Sequence, residues 1–66
     1  MHELSLMEST LEIALENARR QGAQRIHQLN LRVGAMSGVV PEALEFAFDA
    51  CTQDTIAEGA NLKIEL

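Results

Sequence analysis

Apolar residues between about Leu4 and Gln21 recur at spacings of three and four. Leu4, Met7, Leu11, Ala14, Leu15 and Ala18 share one face, and Leu6 and Ile13 widen it. This is the pattern of an amphipathic helix. Ser5 followed by Glu8 has the form of a capping box. Glu3 and Glu8 put negative charge near the amino end, and Arg19 and Arg20 put positive charge near the other. Gly22 supplies the left-handed residue that closes such a helix. From Ile26 to Gly34 the period falls to two, because Leu29, Leu31 and Val33 alternate with Gln28, Asn30 and Arg32. That predicts a half-buried strand, with His27 an ordinary histidine at its start. Gly34 and Gly38 punctuate a loop that lacks the lysine and Ser/Thr of a phosphate-binding loop. Pro41 opens a second helix, a favoured first position. Leu44, Ala47, Phe48 and Cys51 form its apolar stripe, with Phe46 and Ala50 beside it. Thr52 to Ala60 is turn-forming, and Leu62, Ile64 and Leu66 then alternate with Lys63 and Glu65 as a second strand.

The order is α-β-α-β, and its last three elements make a β-α-β unit with parallel strands. The expected architecture is α+β, with two helices packed on one face of a small mixed sheet. Arg32, Lys63 and Glu65 are expected on the wet face. Two strands make a poor sheet, so a final strand is expected either to be missing from this segment or to be supplied by another chain. An open strand edge is a template for pairing, which predicts a strand-paired or domain-swapped homodimer.

Composition narrows the function. Sixty-six residues make one small domain, which buries only about 60% of its unfolded surface. With Cys51 the only cysteine, neither an intrachain disulfide nor a Cys-x-x-Cys zinc site is available. Nothing near Cys51 would lower its pKa, so it reads as a small core residue. Ten acids against five bases give a formal charge of −5. That argues against nucleic acid, which needs a basic surface, and fits a soluble protein that meets a cation or a basic patch. No apolar run approaches the ~18 residues of a membrane span, no secretion signal is visible, and an unpaired thiol fits the cytoplasm.

The candidate chemistry lies at Met1-His2-Glu3. The His2 imidazole sits beside a free α-amine, with the His2 peptide nitrogen between them. Once that amide ionises, amine, amide and imidazole close adjacent chelate rings on one metal. Nitrogen ligands in a tetragonal or square-planar set suit Ni(II) or Cu(II) rather than tetrahedral zinc. His2 is too large a second residue for ordinary methionine removal, so the amine is expected to be that of Met1. A Met-His start taken alone is weak evidence, since a solvated terminus or a tag remnant is its more ordinary explanation.

Further residues carry a family resemblance. Met1-His2-Glu3-Leu4-Ser5, then Arg32-Val33-Gly34 ending the first strand, and Val40-Pro41-Glu42-Ala43-Leu44 opening the second helix resemble the HypA/HybF family. Ala57-Glu58-Gly59-Ala60 followed by Leu62-Lys63-Ile64 is similar to that family as well. These are hydrogenase maturation factors that deliver nickel. The resemblance implies a nickel site with His2 as the required side-chain ligand, completed by the Met1 amine and the backbone nitrogens of His2 and Glu3. It implies that Glu3 aids metal placement or partner contact. It also implies exchange of nickel with the GTPase HypB and insertion into the large subunit of nickel-iron hydrogenase, or in some bacteria service to urease. Family members carry zinc on two Cys-x-x-Cys pairs that follow the segment matching Leu62 to Leu66. Those ligands are not in these residues, so residues 1–66 are expected to be the nickel-binding domain without the zinc domain and last strand.

The competing reading is a metal-independent interaction or dimerisation module, in which the acidic helix surfaces and the open sheet edge matter and His2 is incidental. An enzyme has little support. No nucleophile and base stand at a recognisable spacing, and Glu42 and Glu45 are explained by a solvated first helical turn.

Overall fold

The computed structural model describes residues 2–66. Helix α1 spans Glu3–Arg20, strand β1 Gln28–Arg32, helix α2 Pro41–Cys51 and strand β2 Asn61–Glu65. This is an α+β domain in the expected order. The strands pair in parallel, with Leu29 opposite Leu62 and Leu31 opposite Ile64. The ladder is shorter than the apolar alternation from Ile26 to Gly34 suggests. Pairing nevertheless continues past it, because the Val33 N–H donates to the Glu65 carbonyl at 2.7 Å and the Asn61 N–H to His27 at 2.9 Å.

The core is aliphatic with one aromatic ring. Met7, Leu11, Val33, Leu44, Ala47 and Phe48 are buried together, with Leu29, Leu31, Leu62 and Ile64 packed against them. Period two sends Gln28, Asn30, Arg32, Lys63 and Glu65 to the exposed positions of the strands. There Arg32 and Glu65 pair across the register at 3.6 Å, an exposed contact worth at most about 1 kcal/mol.

Three local expectations are corrected. The Ser5/Glu8 capping box does not form, because α1 begins three residues earlier and takes His2 as N-cap with no side-chain cap. Ser5 is therefore already inside the first turn. Phe46 is 78% exposed rather than alongside the core, and Ile13 is 65% exposed. At 100° per residue both fall beyond the buried stripe, where only a wider contact would cover them. His27 is an exposed residue just before β1, as expected of a strand-end histidine.

The carboxyl end of α1 is closed as its sequence suggests. Gly22 has φ +71°. The Ala23 N–H reaches the Ala18 carbonyl at 2.9 Å and the Gly22 N–H reaches Arg19 at 3.1 Å. That bond pair is the Schellman closure, which a residue with a Cβ makes at a cost. Between α2 and β2, the buried Thr52 donates its hydroxyl to the Phe48 carbonyl at 2.8 Å, and Thr55 donates its own to Thr52 at 2.7 Å. These bonds fold the chain back so that Ala57, 1% exposed, plugs the bottom of the core.

Leu44 has no exposed surface while Phe46, two residues away, is mostly in water. Leu44→Ala is expected to lower unfolding free energy by ~2–5 kcal/mol, and Phe46→Ala to stay within about 0.5 kcal/mol of the parent. Urea titration followed by circular dichroism checks both.

Candidate metal centre

His2 is where the helix and the chain's first residues meet. It is exposed and extended, with φ −101° and ψ 175°. Its carbonyl accepts the first helical bond, from Leu6 N–H at 3.0 Å. The N–H groups of the first helical residues have no intrahelical acceptor, as at any helix start. The amides that would serve as metal ligands are therefore not needed by the helix. Among the described residues the imidazole has one polar contact, with Nε2 3.4 Å from the Ser5 hydroxyl oxygen, a separation at the long end for a hydrogen bond. Met1 lies outside the described residues.

Glu3 is held far more firmly. Its Oε2 accepts the Val40 N–H at 3.1 Å, joining positions 37 residues apart. Val40 is the N-cap of α2 and has no side-chain cap of its own. In a capping box the third helical residue returns a carboxylate to the N-cap amide. Here that carboxylate comes from the first residue of the other helix. One bond thus registers the amino ends of α1 and α2. The Val40 N–H, then Glu3's own N–H, hold the Glu3 carboxyl below its ordinary value, with smaller help from the His2 charge and against slight desolvation. The sequence showed Glu3 as a helix-end charge, but a bond to a loop residue so distant in the chain left no local signal.

The backbone at His2 adds a constraint. For the nitrogens of His2 and Glu3 to bind one metal, they must lie on the same side of the His2 Cα–C bond, with ψ near zero. At ψ 175° they point in opposite directions. Rotating ψ moves the His2 nitrogen and side chain but leaves its carbonyl and the Glu3 nitrogen in place. The helix bond to Leu6 and the Glu3–Val40 contact would both survive that motion.

Elsewhere, the described residues contain no group of three or more His, Cys, Asp and Glu side chains able to hold a metal. Cys51 is half-buried and free, and burial, then the charge of Glu8, pushes its thiol up. That shift disfavours the thiolate, which both a nucleophile and a metal ligand need. No described helix is long and apolar enough to cross a membrane.

The depressed Glu3 carboxyl gives a stability prediction. A carboxyl lowered on folding contributes stability above its unfolded value of 4.5, and that contribution is lost as pH falls through the folded value. Glu3→Gln is expected to be less stable than the parent at pH 7 and to show a shallower loss of stability below pH 4.5. Thermal melts across that range read the difference, and parallel acid limbs would dismiss it.

Comparison with known proteins places the sequence in a family. A family model described as hydrogenase/urease nickel incorporation, metallochaperone, hypA matches residues 1–66. The hydrogenase maturation factor HypA of Acidithiobacillus ferrooxidans is 52% identical over 64 residues, covering 97% of this chain and 57% of that protein. The factor of the same name from Picosynechococcus is 54% identical over 65 residues, covering 98% and 58%. That from Geobacter metallireducens is 49% identical over 65 residues, covering 98% and 56%. The chain thus spans a little over half the length of the curated relatives it matches. With the family model matched from end to end, the chain belongs to the HypA family of nickel-incorporation metallochaperones.

Proposed function

We propose that these residues form a nickel-binding domain that takes Ni(II) at Met1-His2-Glu3 and helps insert it into nickel-iron hydrogenase, with urease a second target. The observation that carries this reading is the exposed, nearly unpartnered His2 at the head of α1, beside backbone amides that no helical bond uses.

The ligands are the Met1 amine, the His2 imidazole, and the amide nitrogens of His2 and Glu3. A helix amino terminus carries about +0.5 charge and repels a bare cation. Two ionised amides balance the charge of Ni(II), so the helix end meets a neutral complex instead. Closing that ligand set rotates His2 about ψ, while the Glu3 carboxylate stays on Val40 as a positioning group rather than a ligand. The complex remains at the surface, where a partner can remove the metal one nitrogen at a time. HypB and the hydrogenase large subunit are the proposed partners, in the cytoplasm. Zinc belongs to a part of the family's chain that these residues do not include. The two-stranded sheet supports a homodimer paired through an open strand edge. The exposed Phe46 also favours a second reading, a metal-independent interaction module.

Ligand deprotonation makes nickel affinity rise with pH. His2→Ala is expected to lose tight Ni(II) binding and the yellow absorbance of a square-planar nitrogen site, with helix content unchanged. Adding one residue before Met1 is expected to damage the site as well, because it turns the amine into a peptide nitrogen. Equal nickel affinity in His2→Ala would refute the assignment, and an undamaged extended form would remove the amine from it.

A further inference from the structure

An apolar groove runs between α1 and α2 from the candidate metal centre. Its first stretch is lined by Leu4, Ala43, Phe46, Ala47 and Ala50, and it opens at His2 and Glu3. The next is lined by Glu8, Leu11, Glu12, Leu15 and Cys51. The α2 residues recur at spacings of three and four, so they form one ridge of that helix. The core does not use this surface fully, since Phe46 is 78% and Leu4 45% exposed.

The rims of the groove are acidic. Glu8 and Glu12 border it from α1. On α2, Glu42 and Asp49 stand one turn before and one turn after Phe46 and are exposed. No lysine or arginine is among the described residues that line either stretch. The arginines are engaged elsewhere: Arg19 and Arg20 with Glu16, Arg25 with the Glu58 carbonyl, and Arg32 with Glu65.

We propose that this groove docks an amphipathic helix of a partner protein, with an apolar stripe on Phe46 and Leu4 and lysines or arginines along both flanks. The groove's walls are helices whose backbone groups are already bonded internally. An extended peptide would find no main-chain partners there, whereas a helix can lay its side chains between the two ridges. The acidic rims select basic flanks. They also oppose a second copy of this chain, which would set the same acids against each other on a molecule of charge −5. A helix seated here ends beside His2, so docking brings the partner to the metal-bearing residue.

The proposal does not depend on nickel, and its test uses the metal-free chain, so its failure is distinct from failure of the nickel reading. The probe is a synthetic helical peptide with leucines at i, i+3, i+4 and i+7 and flanking lysines, titrated into isotope-labelled protein and followed by NMR. Amide shifts are expected at Leu4, Glu8, Ala43, Phe46 and Ala50. Phe46→Glu, in an exposed position that leaves the fold intact, is expected to weaken binding at least about tenfold, the scale of an anchor residue. Replacing the lysines by glutamates is expected to abolish binding, and raised salt to weaken it. Equal binding of the glutamate peptide, shifts confined to β1 and β2, indifference to Phe46→Glu, or self-association through Phe46 with no response to the peptide would each overturn it.

Discussion

The hydrogen bond from the Val40 N–H to the Glu3 carboxylate joins the first helical residue of α1 to the residue that starts α2. Few contacts in so small a domain span so much chain for so little material. Below it, Met7 and Leu44, both fully buried, lock the same two helices together one turn in. The bond and the packing act as one constraint. They fix the direction in which α1 emerges, and hence where His2 stands. His2 itself is exposed, and its imidazole meets the Ser5 hydroxyl only at 3.4 Å. In the proposed nickel site, this arrangement sets an exposed histidine on a fixed base, which suits capture and later release of a metal.

The division also separates two roles that adjacent residues might share. Glu3 is a carboxylate beside a histidine, which invites a reading as a metal ligand. Its oxygen is instead occupied by a backbone amide, and its charge is stabilised there. His2 has the opposite character, exposed and without a firm partner. The proposed square-planar nickel site fits this division, because its ligands are nitrogens and the Glu3 oxygen is kept for architecture.

Much of this was legible in the sequence. The apolar stripe of α1, Pro41 at the start of α2, Gly22 closing α1 and the alternation of both strands are local patterns with local causes. Each element formed close to its expected bounds. The errors have a common source. Ser5 and Glu8 matched a capping pattern, but the helix starts where Glu3 can reach Val40, so a tertiary bond overrode a local one. Phe46 lies beside the apolar stripe of α2 in sequence, yet it is 78% exposed, because the buried face of α2 is narrower than its run of apolar residues. The role of Glu3 and the ψ angle of His2 were not legible, since one depends on a residue distant in the chain and the other on a single backbone rotation.

The central claim is that nickel turns His2 while the Glu3–Val40 bond holds. NMR of the Val40 and His2 amides during Ni(II) titration tests it directly. The account predicts large changes or loss of signal at His2, with the Val40 amide keeping its shift and its protection from hydrogen exchange. Loss of Val40 protection on nickel binding would contradict it, because the Glu3 carboxylate would then have left the amide for the metal.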